Sequence, residues 1–292
     1  MVNKISKNHH YLPRCYLKSF THNGKQLYIY DKKKDEVRPG NIEHSFTLWK
    51  RNTVIFPGGK TSDFLEDAYG KIENDSAYLF PKIINSAPDN VPYDDLDKLN
   101  LALFISALFW RVPSMDSRTQ DLLQKDGFKN RKFFLKYPEG WSDEDKQRVE
   151  KSLLDEPAFQ KMYPMMLIFE PFLKENYSLF LEDWKFYYHD PGRLFAGDNP
   201  VITRTDAEPN MILNEFILPL APNRILVASK GRPLEVEREW SLNVNLQLID
   251  QAERYICSND EDFLKAVVGL YKIEKLSPTP ANFKEIIFKV VT

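Results

Sequence analysis

The chain has 292 residues, long enough for one large domain or two modest ones with a real buried core. Its composition, 42% hydrophobic and 28% charged, is that of a soluble globular protein, and 40 basic against 42 acidic residues leave a net charge of −2. That balance excludes a broad phosphate-neutralising surface, so any nucleic-acid or nucleotide contact has to be a local patch.

Cys15 and Cys257 are too few for a disulfide framework and share no metal-ligand spacing. The first residues carry positive charge with no apolar stretch behind it, so no signal peptide is expected. The longest apolar run, residues 101–110, is interrupted by Ser106 and is about half the length of a membrane span. A cytoplasmic protein with no membrane partner is the expectation; the oligomeric state is not indicated.

Taken in chain order, Pro13 opens a short helix over residues 13–20, since its missing N–H costs nothing at a first helical position. Residues 26–31 read as a strand entered through the turn at Asn23-Gly24, and residues 53–56 as another, ended by Pro57-Gly58-Gly59. A helix is expected from Ser62-Asp63, with Leu65, Ile72, Leu79 and Ile83 at helical spacing and Tyr69 beside them. After the turn-rich residues 86–92, residues 93–112 form the most apolar helix, greasy on too many faces to lie on a surface. Residues 116–182 continue mostly helical, with a basic cluster at Lys125, Lys129, Arg131, Lys132 and Lys136.

The pattern then changes. Residues 184–189 and 193–196 flank Asp190-Pro191-Gly192 as a hairpin, and residues 215–218 and 224–228 flank a second turn at Ala221-Pro222-Asn223. A helix over residues 239–252 leads into Tyr255-Ile256-Cys257, and residues 285–291 alternate as a final strand. The expected fold is α+β: one compact domain over residues 1–292, its helical part at about 62–182 packed on a mainly antiparallel sheet from about 184–291.

The chemistry-bearing residues are few. His9 and His10 are two of five histidines and stand just before Pro13. Imidazole titrates near neutrality, so the pair is a candidate for metal ligation or proton transfer, although extended backbone would point the two rings to opposite sides. Glu66 and Glu73 are two helical turns apart and share a face, with Gly70 between them. Arg111 ends the apolar helix, where a guanidinium needs a carboxylate, a helix-end carbonyl or an anionic substrate. Asp198 and Asn199 follow a strand, well placed for a site and equally ordinary turn formers. No phosphate-binding Gly-rich loop, Gly-x-Ser-x-Gly elbow or His-Glu-x-x-His helix is present. The His-His-x-x-Pro run superficially matches the start of an HNH nuclease motif, but the later Asn and His positions are missing.

These segments together resemble a bacterial family, domain-of-unknown-function family 4238. The resemblance rests on His9-His10-Tyr11-Leu12-Pro13 with Tyr16-Leu17 and Phe20, then Tyr30-Asp31, Glu66 and Glu73, and Arg111-Val112-Pro113. It continues through Trp184, Asp198-Asn199-Pro200, Leu218-Pro219-Leu220 and Asn243. Cys15 and Gly197 depart from the pattern, and residues 114–180 are poorly covered. The resemblance implies a shared architecture and polar set, and no established activity.

Two functions from different classes fit. In the first, a divalent metal such as Mg or Mn, held by His9, His10, Glu66, Glu73 and Asp198, serves hydrolysis of a phosphoester in a nucleic acid or nucleotide. His10, Glu73, Asp198 and Arg111 are then catalytic, and Arg14, Arg111 and Asn199 bind substrate. In the second, the protein is a non-enzymatic binding or interaction protein and the same residues form a buried polar network. Access discriminates them: an open concave site favours the enzyme, a sealed network the scaffold.

Overall fold

The computed structural model of the chain describes residues 8–87, 91–126, 137–173, 181–189, 191–205, 214–236 and 239–290. In chain order the elements are β1 (Asn8–His10), α1 (Arg14–Lys18), β2 (Gln26–Asp31), β3 (Glu36–Asn41), β4 (Thr47–Trp49), β5 (Val54–Ile55), β6 (Thr61–Ser62) and α2 (Phe64–Ser76). There follow α3 (Leu79–Ile84), α4 (Asp95–Trp110), α5 (Asp116–Asp126), α6 (Asp143–Asp155), α7 (Pro157–Phe169), β7 (Trp184–Tyr188), β8 (Ala196–Gly197) and β9 (Ile202–Thr203). The chain continues through β10 (Phe216–Ala221), β11 (Arg224–Ala228), α8 (Trp240–Gln251), β12 (Tyr255–Ser258), α9 (Glu261–Lys275) and α10 (Phe283–Ile287). The fold is α+β, and every strand pairing among the described residues is antiparallel.

One four-stranded sheet has the order β3-β2-β12-β8 and another β7-β11-β10-β9, while β1 pairs with β4 and β5 with β6. Strands from the first sixty residues therefore make half of one sheet, a larger N-terminal share than the pattern alone suggested. The β2 turn forms as expected: Gly24 takes φ 80° and the Asn23 side chain accepts from the amides of Lys25 and Gln26.

Helix α4 is the centre of the larger core. Leu101, Phe104, Ile105, Leu108 and Phe109 are each 2% exposed or less, so the all-round apolar reading holds. A capping box between Asp94 and Asp97 starts it, and Arg111 with Pro113 just beyond ends it. Ser106, polar in this run, donates to the Ile168 carbonyl on α7 at 3.2 Å. The helix expected from residue 62 onward is broken at Ala77-Tyr78 into α2 and α3. Pro81 is the cause, because it lacks an N–H and crowds the carbonyl of Ala77 four residues back.

Two expectations are corrected. Residues 184–196 do not make a hairpin: β7 pairs with β11, whereas Ala196-Gly197 pairs with β12 in the other sheet. The Pro191-Gly192 turn leads the chain across, with Leu194 N–H on the Pro222 carbonyl and Phe195 N–H on Asn245 Oδ1. Asp190 lies outside the described residues, as do Lys129, Arg131, Lys132 and Lys136 of the basic cluster. Of the strand expected over residues 285–291, residues 285–287 are helical instead, and residue 291 lies outside the described residues. Asn282 caps α10 by accepting from the Glu285 amide, and Phe283 and Ile287, one helical turn apart, are buried together. Among the described residues no helix is long and apolar enough to cross a membrane.

Candidate functional site

The His-His-Tyr-Leu-Pro segment enters as β1, in register His9↔Leu48 and His10↔Thr47 with β4. Alternation along the strand sends the two rings to opposite environments. His9 is fully buried. Its Nδ1 accepts the Asn52 amide at 2.8 Å, and the Asn52 side chain donates to Glu66 Oε2 at 2.6 Å. Glu66 Oε2 itself lies 4.0 Å from His9 Nδ1. A backbone N–H on Nδ1 leaves the proton of neutral His9 on Nε2.

His10 is partly buried, and its Nε2 is 3.0 Å from the Ile42 carbonyl. A carbonyl only accepts, so Nε2 carries the proton and Nδ1 is the ring's acceptor nitrogen. Burial is the main cause that lowers the His10 pKa below 6.5; the Ile42 bond opposes it and the charge of Arg14 adds to it. The segment is then pinned by apolar packing: Tyr11 sits edge-on to Phe46, and Leu12, Tyr16 and Leu17 are fully buried.

Arg111 caps the C-terminus of α4 at 3% exposure. It donates Nη1 to Glu73 Oε1 at 2.5 Å and Nη2 to the His10 carbonyl, and its guanidinium lies over the Tyr69 ring at 4.5 Å. The carboxylate that Arg111 needs is therefore that of Glu73. Cys15 stands near both, and burial pushes its thiol up to about 12.

Glu66 and Glu73, on one side of α2, line an open cleft of about 540 Å³ together with His10 and Arg14. Four carboxylates (Glu66, Asp67, Glu73, Asp75) face two cations there, Arg14 and Lys71. On the other side of the same partition is a cleft of about 600 Å³, lined by Asn52 and Arg111 and carrying Lys50, Arg51 and Lys161 against one carboxylate, Asp116. Asn52–Glu66 and Arg111–Glu73 thus each reach from the basic cleft to the acidic one.

Asp198 and Asn199 do not line the His10 cleft. Asp198 accepts the amides of Glu253, Arg254 and Tyr255 at 3.0, 2.8 and 2.8 Å, which ties the turn from α8 into β12 onto the end of β8. Burial raises its pKa against the pull of those three bonds. Its link to the motif is through Tyr11, whose hydroxyl is driven up by burial and next by the Asp198 charge. The Asn199 carbonyl accepts from Gln251 Nε2 at 2.6 Å.

The proposed metal ligands do not fit a divalent ion as they stand. Among the described residues no group of three or more His, Cys, Asp or Glu side chains is placed to hold one. Four of the five also accept hydrogen bonds within the protein, His9 Nδ1 from an amide, Glu66 Oε2 from Asn52, Glu73 Oε1 from Arg111 and Asp198 from three amides, while His10 keeps Nδ1 as its acceptor nitrogen. The sequence reading missed Asn52, the residue that joins His9 to Glu66. Nothing in its local pattern marks it, and its partner His9 is 43 positions away.

A family model described as a protein of unknown function (DUF4238) matches residues 8–262, and the chain belongs to that family. The searches of curated proteins and of solved structures gave no match.

Proposed function

We propose that this family member works by binding, with the His/Glu/Arg/Asp set as the framework that shapes its clefts, rather than as a metal-dependent phosphoester hydrolase. One observation carries this: among the described residues no three of the candidate donors converge on one point, and four of the five already accept hydrogen bonds from amides and side chains of the protein itself. Buried polar groups require such partners for stability alone. Access divides the set, since His10, Glu66 and Glu73 line an open cleft while His9, Arg111 and Asp198 are buried; that cleft is rich in carboxylates, which repel a phosphoester unless a cation intervenes. Calorimetric titration of Mn2+ and of Mg2+ into the full chain tests the reading. No heat dependent on Glu73 or His10 is expected; stoichiometric binding abolished by Glu73→Ala would return the metal hydrolase.

A metal-free proton-transfer role for His10 is the alternative with support of its own. Its Nε2–H is fixed on a backbone carbonyl, its Nδ1 is left as an acceptor, and its lowered pKa keeps it neutral near pH 7. Activity lost in His10→Gln at unchanged melting temperature would favour that role.

A further inference from the structure

The larger cleft, on the opposite side of α2 from His10, contrasts in charge with its neighbour. Lys50, Arg51 and Lys161 line it against Asp116 alone, a net of two positive charges once the Arg111–Glu73 pair is set aside as self-neutralised. Arg51 grips Asp116 in a bidentate pair at 2.7 and 3.0 Å and donates Nε to the Arg111 carbonyl, so that carboxylate is already spent. Lys161 has one hydrogen bond among the described residues, to the Lys50 carbonyl at a long 3.4 Å. Burial and the adjacent Arg51 together hold its pKa below the ordinary lysine range. Arg111, which also lines the cleft, has its Nε buried with no acceptor among the described residues.

The rim supplies a second kind of surface. Trp49 is 61% exposed on β4, and Lys50 takes φ 49°, a left-handed turn that presents Trp49, Lys50 and Arg51 in succession at the mouth. A non-glycine residue in that region is strained and needs a reason. Leu65, Tyr69 and Trp110 add an apolar wall. A volume of about 600 Å³ lies within the range of small-molecule sites, and an apolar wall with a few convergent polar groups is their usual make-up.

We propose that this cleft binds a small phosphorylated aromatic molecule of the nucleoside monophosphate class, its phosphate on Lys50, Lys161 and the Arg51 end and its ring against Trp49. The charge match favours this class: a phosphate monoester carries about −1.5 to −2 at pH 7, which complements the net charge of the lining. Its several acceptor oxygens suit the unspent donors better than a carboxylate does. Trp49 gives the ring a face to stack on. This deepens the binding reading above and rests on it.

The test is calorimetry on the full chain with adenosine 5′-monophosphate, uridine 5′-monophosphate, adenosine and orthophosphate. At least one nucleotide is expected to bind tenfold or more tightly than both adenosine and orthophosphate. Lys161→Gln is expected to weaken it at least tenfold with the melting temperature unchanged, and Trp49→Ala to reduce it to the level of orthophosphate. Equal binding of nucleotide and orthophosphate, equal binding of nucleotide and adenosine, binding indifferent to both variants, or no heat from either nucleotide would each overturn the proposal. Such a failure leaves the framework reading standing, because that reading is judged by the stability of Arg111 and Glu73 variants and by metal titration.

Discussion

Asn52 gives its backbone amide to His9 Nδ1 at 2.8 Å, and both residues are buried. The contact closes β1 over the chain between β4 and β5, while the Asn52 side chain continues to Glu66 on α2. His9→Phe keeps the ring volume and strands the Asn52 N–H, so a loss of about 1–3 kcal/mol is expected in urea melts. Asn52→Ala keeps the amide bond and removes only the contact to the partly exposed Glu66, so about 1 kcal/mol is expected. A reversed order would mean that His9 is not held through the backbone of Asn52.

Leu108 is fully buried in the last turn of α4. Leu108→Ala is expected to cost about 2–5 kcal/mol, the sum of lost transfer energy and a cavity the surrounding helices cannot fill. A loss under about half a kcal/mol would contradict the central place of α4.

His10 sets an acid limit. Its folded-state pKa is lowered, chiefly by burial, from an ordinary 6.5. The unfolded chain therefore binds the proton first as pH falls. The contribution is fully present above about 6.5 and is lost as pH drops from there through the lowered folded value. Melting temperature should decline as pH falls below about 6.5, and His10→Gln should flatten that part of the profile. An identical decline in the variant would assign the acid sensitivity to other groups.

The sheet that holds β10 and β11 is tied to helices from the first half of the chain. Tyr16 on α1 donates to the Pro219 carbonyl on β10 at 3.0 Å, and Arg224 on β11 reaches the Ile84 carbonyl at the end of α3 at 3.3 Å. Calorimetric melting in one transition is the expected outcome, as for a single cooperative unit. Two resolved transitions would divide the chain.

What the sequence made legible was local. The apolarity of α4, the alternation of β2 and the Pro222-Asn223 turn between β10 and β11 each carry their signal within a few residues. Residues 283–290 carry an ambiguous one, since Ile286, Phe288 and Val290 alternate while Phe283 and Ile287 stand at helical spacing; the Asn282 cap decides for the helix. Long-range pairing was not legible. The partners of Asp198 are 55 to 57 positions away, so a polar strand end that reads as a site is in place a clamp on three amides. His10, Glu66, Glu73 and Arg111 do come together, because α2 and the end of α4 flank β1, and Asp198 faces the motif only through Tyr11.

The framework claim is tested most directly by a double-mutant cycle on Arg111 and Glu73 in denaturant melts. The Arg111 side chain is 2% exposed and that of Glu73 24%, so Glu73→Ala strands a buried guanidinium while Arg111→Met leaves a carboxylate that water can reach. Glu73→Ala is expected to cost about 3 kcal/mol, the low end for breaking a buried pair, because the His10 carbonyl still accepts from Arg111. The double variant should cost at least about 1 kcal/mol less than the sum of the two single losses. Single losses below about half a kcal/mol that simply add would contradict the account and return these residues to a functional site.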